Sequence, residues 1–302
     1  MEETSTVSLN KFLKGFANVS KVTVTAIQMA MSPQRQVNLD LATKLVKQAA
    51  QAGSNVILLP ELFMGLYFCQ VENYDHFELA RPFENNQDLI YFQKLAKSLN
   101  VVLPISYFEK ANNVFYNSIA IIDADGTLLG QYRKMHIPTG ESYQEKFYFT
   151  PGDTPLKVYT TKFGKIGVGI CWDQWFPEVA RILALEGADM LLYPTAIGSE
   201  PTLPIDSQIH WQNTMMGHAA ANLIPVIAAN RIGKESFGQH HMTFYGTSFI
   251  SNYNGVILQQ MDRTTTGLIT QTFDLKELEK LRYSWGVFRD RRPSMYERIL
   301  KK

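Results

Sequence analysis

Between residues 22 and 60 the hydrophobic period changes twice. Residues 22–30 (VTVTAIQMA) alternate β-branched and small side chains and then turn apolar, as a strand does. Ser32-Pro33 marks a turn, and apolar positions 37, 41, 45, 49 and 52 follow at helical spacing. Gly53 is placed to cap that helix. Residues 55–60 (NVILLP) form a short continuous apolar run, the pattern of a strand covered on both faces. The stretch predicts a β-α-β unit with Glu61 at the outlet of its second strand.

The alternation continues along the chain. A second amphipathic helix is predicted over 86–100. Strands at 101–108, 114–122 and 127–133 form a meander with Asp123-Ala124-Asp125-Gly126 as a turn, ending in Lys134. Residues 135–153 form a loop rich in Pro, Gly and Tyr that holds His136, Glu141 and Glu145. Strands at 156–160, 165–170 and 189–194, with a helix at 178–187, make a second β-α-β unit, and Cys171 sits at its strand-to-helix turn. A loop over 196–209 contains Glu200. A helix at 210–222, strands at 225–230, 246–252, 255–260 and 266–274, and a helix at 275–282 complete the pattern. No Ser/Pro/Gly linker divides it. An α/β chain with one domain over 21–302, including a tail at 285–302, is predicted. It holds two mixed sheets, each covered by helices on one face; a doubly wound single sheet is the alternative. The polar residues 1–20 read as a flexible extension.

Composition excludes several functions. The 302 residues are 45% hydrophobic, enough for a large core, and the formal charge is only +1. A nucleic-acid binder should show a basic stripe. The tail Arg289-Asp290-Arg291-Arg292 carries its own acid. No apolar run reaches the roughly 18 residues of a membrane span, so no membrane partner is expected. The two cysteines, Cys69 and Cys171, suit no disulfide framework and no zinc spacing. A reducing, cytoplasmic setting fits, and no metal or organic cofactor is expected. No Gly-rich phosphate loop is present.

Glu61, Lys134 and Cys171 each follow an apolar strand directly. Ligands of open α/β sheets bind outside the carboxyl ends of the strands. A free thiol with a pKa of about 8.5 is mostly protonated at neutrality, and helix N–H groups near Cys171 would favour its thiolate. A carboxylate within reach can take the thiol proton as general base. An ammonium and a backbone N–H, here that of Trp172, can hold the oxyanion of a tetrahedral intermediate.

Leu59-Pro60-Glu61, Tyr132-Arg133-Lys134-Met135-His136 and Gly169-Ile170-Cys171-Trp172-Asp173 resemble the three catalytic motifs of the nitrilase, or carbon–nitrogen hydrolase, superfamily. They stand in the family's order, and the likeness runs over about residues 22–295. The resemblance implies a four-layer α-β-β-α sandwich and a homo-oligomer. It makes Glu61 the general base, Lys134 the oxyanion cation and Cys171 the nucleophile. Many members carry a second glutamate in the loop after the Lys; Glu145 is the candidate and Glu141 the alternative.

Carbamoylases that bind an acidic substrate need an arginine. After Cys171 this chain instead has Trp172, Asp173, Gln174 and Trp175. Within the family, this pattern and that of residues 193–201 are similar to members that cleave a ureido group from a cationic amine. That resemblance implies a small cationic ureido substrate. Glu200 would pair with its ammonium, with Asp173 a second acid nearby, and Tyr67, Trp172 and Trp175 would line the pocket. Asp173 also reads as a helix cap, and both tryptophans also read as core. His136 reads as orienting the Lys134 loop, and Cys69 as a packed loop thiol. Another carbamoylase or amidase of the superfamily, a true nitrilase and a non-enzymatic scaffold are the alternatives.

Overall fold

The computed structural model describes residues 20–199 and 205–301. Glu200 and nearly all of the N-terminal extension lie outside these residues. The first β-α-β unit is β1 (Lys21–Ala30), α1 (Arg35–Gln51) and β2 (Val56–Leu58). β2 runs parallel to β1, with Val24 opposite Val56 and Ala26 opposite Leu58. α2 (Gln87–Leu99) begins on Asn86, whose side chain accepts from the N–H groups of Asp88 and Leu89. It ends on Asn100 in the left-handed region. The meander follows as β3 (Leu103–Ala111), β4 (Val114–Ile122) and β5 (Leu128–Arg133). A parallel bridge between Val56 and Val102 joins it to β2.

The second half has one helical turn, α3 (Glu145–Tyr148), then β6 (Val158–Thr161), β7 (Gly164–Val168), α4 (Pro177–Leu185) and β8 (Met190–Pro194). It continues with α5 (Gln208–Asn222), β9 (Val226–Ala229), β10 (Arg231–Phe237), β11 (His240–Tyr245) and β12 (Phe249–Ser251). β13 (Ile257–Gln260), β14 (Gly267–Asp274) and α6 (Leu275–Trp285) close the order. The second sheet has the order β13-β12-β9-β8-β7-β6, parallel from β7 to β9 and antiparallel at its flanks. In the first sheet β14 pairs antiparallel with β1, and β10 takes over from β2 at the far end of β1.

Strand alternation explains the layers. Val22, Val24, Ala26, Val56, Leu58, Ile119 and Ile121 face the core shared with Ile166, Val168, Met190, Leu192, Ile227 and Ala229. Their neighbours Ile27, Met29, Ile57, Leu59, Ala120 and Ile122 face α1 and α2 instead. Leu191, Tyr193, Val226 and Ala228 face α4 and α5. Successive strand residues point to opposite faces, so continuous apolar runs mean burial on both sides. The result is the α-β-β-α sandwich with two mixed sheets, and the single doubly wound sheet is excluded.

Two local expectations are corrected. The hairpin β10–β11 lies where no strand was predicted. Its residues alternate polar with apolar poorly, because Arg231 and Glu235 are buried while Gly233, Lys234, His240 and His241 are exposed. The helix expected at 178–187 spans Pro177–Leu185, with proline at its first turn. It is preceded by a 3-10 turn, Cys171–Trp175, that interrupts the path from strand to helix.

Candidate active site

Glu61, Lys134 and Cys171 all stand past the carboxyl ends of strands, β2, β5 and β7. The reach of Lys134 is set by the meander: its backbone N–H donates to the carbonyl of Asn117 at 2.8 Å. Gly152 packs on the same segment. A Cβ there would stand 2.1 Å from the carbonyl oxygen of Arg133 and 2.8 Å from that of Lys134. Gly169 plays the matching part before Cys171, since a Cβ would come within 2.8 Å of the Tyr193 ring.

The Lys134 ammonium is fully buried between two carboxylates. It donates to Glu61 Oε1 at 2.9 Å and to Glu145 Oε1 and Oε2 at 2.9 and 2.7 Å. Asn117 Nδ2 also donates to Glu61 Oε1, at 2.6 Å. Glu61 Oε2 is buried with no hydrogen-bond partner among the described residues, so it is the oxygen left for a reacting proton. Burial by itself pushes the Lys134 ammonium down, but Glu145 and then Glu61 outweigh it and hold it well above its usual range. It therefore stays charged. Burial raises the Glu145 carboxyl, with Lys134 opposing. The structure places Glu145, not the exposed Glu141, on Lys134.

Cys171 is only 4% exposed and adopts φ +41°, a left-handed conformation that costs a non-glycine residue roughly 1–2 kcal/mol. Its Sγ lies 3.9 Å from the carbonyl of Ala196. Two effects set the thiol's charge against the helix N–H groups that would favour a thiolate. Burial, and next the field of Glu61, push the thiol well above its ordinary range, and Lys134 only partly opposes them. Both effects favour the neutral thiol over the thiolate. The Trp172 N–H lies at the start of the turn, where N–H groups have no intrahelical partner.

Asp173 is not a substrate acid, and this expectation too is corrected. It is fully buried, and four donors saturate it. Oδ2 accepts from Tyr132 Oη at 2.8 Å and the Ile170 N–H at 2.9 Å; Oδ1 accepts from the His136 N–H at 3.0 Å and pairs with His136 Nδ1 at 2.8 Å. It clasps the residues flanking Lys134 to the residue before Cys171. His136 completes the clasp by stacking on Phe176 at 3.6 Å. Asp173→Asn is expected to lose about 1–3 kcal/mol of stability and to lower kcat more than KM. Urea denaturation and steady-state rates would check it; wild-type values for both would remove the clasp.

Tyr67 is buried behind the site, with its hydroxyl donating to Glu145 Oε1 at 2.6 Å. Trp172 is 37% exposed, so it is not core. It meets the half-buried Trp175 edge to face at 6.2 Å, and Trp175 meets His210 at 4.8 Å. Cys69 is fully buried, and its carbonyl accepts from the Gln144 N–H. Sequence reasoning missed Asn117, Arg231 and Glu235. Asn117 gave no local signal, since it lies within an ordinary strand pattern. The i, i+4 spacing of Arg231 and Glu235 was the one available clue, because it puts both on one face of a strand.

A buried Cys, Glu and Lys stand together on this sandwich, the setting of a hydrolase, and residues 23–283 match the family model "Carbon-nitrogen hydrolase". The chain belongs to the carbon–nitrogen hydrolase family. It is 52% identical over 286 residues to the N-carbamoylputrescine amidase of Oryza sativa subsp. japonica, covering 93% of this chain and 95% of that protein. It is 48% identical over 285 residues to the citrullinase of Francisella tularensis subsp. tularensis, covering 94% of this chain and all of that protein. The crystal structure of a carbon-nitrogen hydrolase from Helicobacter pylori G27 superposes with a TM-score of 0.88 at 38% identity, over 93% of this chain and 99% of that one.

Proposed function

We propose that this chain hydrolyses N-carbamoylputrescine to putrescine, carbon dioxide and ammonia, in polyamine biosynthesis. The observation that carries the reading is its likeness, along almost the whole of both chains, to the rice amidase. The chemistry of the site supports it. Cys171 attacks the ureido carbon while Glu61 Oε2 takes the thiol proton. Lys134 and the Trp172 N–H hold the oxyanion. Glu61 returns the proton to departing ammonia, leaving a carbamoyl thioester. Glu61 then deprotonates water, which displaces Cys171 and leaves a carbamate. The carbamate decays to carbon dioxide and the free amine. Glu145 acts by holding Lys134 charged and in place.

With Asp173 committed to the clasp, the proposed pairing of the distal ammonium rests on Glu200, with Trp172 and Trp175 offering aromatic faces to the cation. The likeness to a citrullinase supports a second reading, in which the ureido group is carried by an α-amino acid. Ammonia release from N-carbamoylputrescine, citrulline and N-carbamoyl-β-alanine decides between them. The diamine derivative is expected to have the highest kcat/KM, by 10-fold or more, the roughly 1.4 kcal/mol that one desolvated charge contact contributes. A preference for citrulline or for the acid would overturn the cationic reading. The same proposal takes residues 21–302 as one catalytic unit working as a cytoplasmic homo-oligomer. The exposed Tyr283, Trp285, Met295 and Ile299 on α6 and the tail supply apolar surface for such contacts. No helix among the described residues is long and apolar enough to cross a membrane.

A further inference from the structure

The segment from Glu61 to Tyr67 carries both the base and the tyrosine that holds Glu145. It is not held by regular secondary structure. Leu62, directly after the base, has φ +48°, in the left-handed region that disfavours a branched side chain. Something must hold this backbone against that strain, and β10 supplies it. Arg231 is fully buried. One terminal nitrogen, Nη2, donates to the carbonyls of both Glu61 and Leu62, each at 2.9 Å. The other, Nη1, donates to Glu235 Oε1 at 2.9 Å. The second oxygen of Glu235 accepts the backbone N–H of Tyr67 at 2.6 Å. The guanidinium also lies near the rings of Phe244 and Tyr67, at 5.3 and 5.8 Å from their centroids.

We propose that Arg231 and Glu235 are positioning residues for the hydrolysis, a buried ionic clamp that grips both ends of the 61–67 segment and so aims Glu61 at Cys171 while holding Tyr67 on Glu145. The argument rests on Glu61 being the base. Arginine suits this task because its planar fork serves two carbonyls and a carboxylate at once, which an ammonium cannot do with the same geometry. Neither side chain reaches the reacting atoms through its hydrogen bonds; every side-chain hydrogen bond of the two ends on the segment or on the other partner. A buried pair is a costly way to gain stability, since apolar residues of similar volume often do as well. Its use here is directional.

That difference gives the test. Arg231→Met with Glu235→Leu removes both charges together and leaves none stranded. The double variant leaves the Glu61 and Leu62 carbonyls and the Tyr67 N–H without these partners, so it is expected to fold but to melt several degrees below the wild type. Its kcat for ammonia release should fall about 100-fold, the scale of a misplacement near 1 Å, with KM changed less than 3-fold. A second readout needs no substrate: the pH dependence of Cys171 alkylation by iodoacetamide, mapped by mass spectrometry. The ionisable groups acting on Cys171 are Glu61, Lys134 and Glu145, and the Tyr67 hydroxyl is coupled to it as well. Turning Glu61 away should move the alkylation midpoint to lower pH. A folded double variant with kcat within 3-fold of wild type and an unmoved midpoint would overturn the clamp. Should the double variant not fold, Arg231→Lys serves; it should lose kcat about 10-fold with KM retained, and wild-type kcat would overturn the clamp. A wild-type enzyme that ignores N-carbamoylputrescine yet shows the midpoint shift in the variant refutes the substrate and upholds the clamp.

Discussion

Lys134→Met is expected to abolish detectable ammonia release and to destabilise the protein by about 3–5 kcal/mol. The two effects have one origin. Among the described residues Lys134 is the only cation in hydrogen-bond contact with two fully buried carboxylates, Glu61 and Glu145. Removing it leaves two buried carboxyl groups without their cation, so they must either stay charged without solvent or take up a proton, and both cost stability. The catalytic loss comes from the oxyanion, whose stabilisation by one such donor typically contributes 10²–10³-fold in rate. A displaced Glu61 would add to it. The stability loss can be reversed without restoring activity. Adding Glu61→Gln and Glu145→Gln to Lys134→Met neutralises the whole cluster at nearly constant volume. The triple variant should melt close to the wild type and remain inactive. Thermal unfolding of both variants decides the matter. A Lys134→Met protein as stable as the wild type would mean that the carboxylates are hydrated there, and the charge balance given above would be wrong.

The difference between what the sequence showed and what it hid follows from range. Layers were legible because they depend on local period. Val22 to Met29, Val56 to Leu59 and Leu191 to Tyr193 each carry their two-sided burial in three to eight consecutive residues. Glu61, Lys134 and Cys171 were legible as candidates because each stands at a strand outlet inside a recognisable motif. What was hidden depends on partners distant in sequence. Asp173 looked like an acid offered to substrate, and only its contacts with Tyr132 and His136, about forty residues away, show it saturated. Arg231 reaches Glu61 across 170 residues of chain. The positive φ of Cys171 and Leu62 has no signature in side-chain type, because both positions would ordinarily call for glycine. The field at the thiol was hidden for a related reason. Proximity to a helix start can be read from a turn, but burial beside Glu61 cannot.

That thiol gives the second large effect. Cys171→Ala should fold normally, because it removes one sulfur atom from a packed position, and should lower turnover by at least about 10⁴-fold, leaving what binding and oxyanion contacts alone provide. Glu61→Gln should cost as much in turnover, yet its thiol should change in the opposite direction. Burial keeps the Cys171 thiol above its ordinary range in the wild type, and the Glu61 carboxylate pushes it further. Glutamine removes the second contribution and keeps the first, while Lys134 still draws the thiol down. The thiolate fraction at neutral pH therefore rises in Glu61→Gln. Alkylation of Cys171 by iodoacetamide should become faster than in the wild type as hydrolysis disappears, because alkylation needs only the thiolate, whereas hydrolysis needs a group to carry the proton to ammonia. A base that merely stabilised the fold would slow both reactions or neither. Turnover that survives in Glu61→Gln, or alkylation slower than in the wild type, would remove Glu61 from its role as the acceptor of the thiol proton.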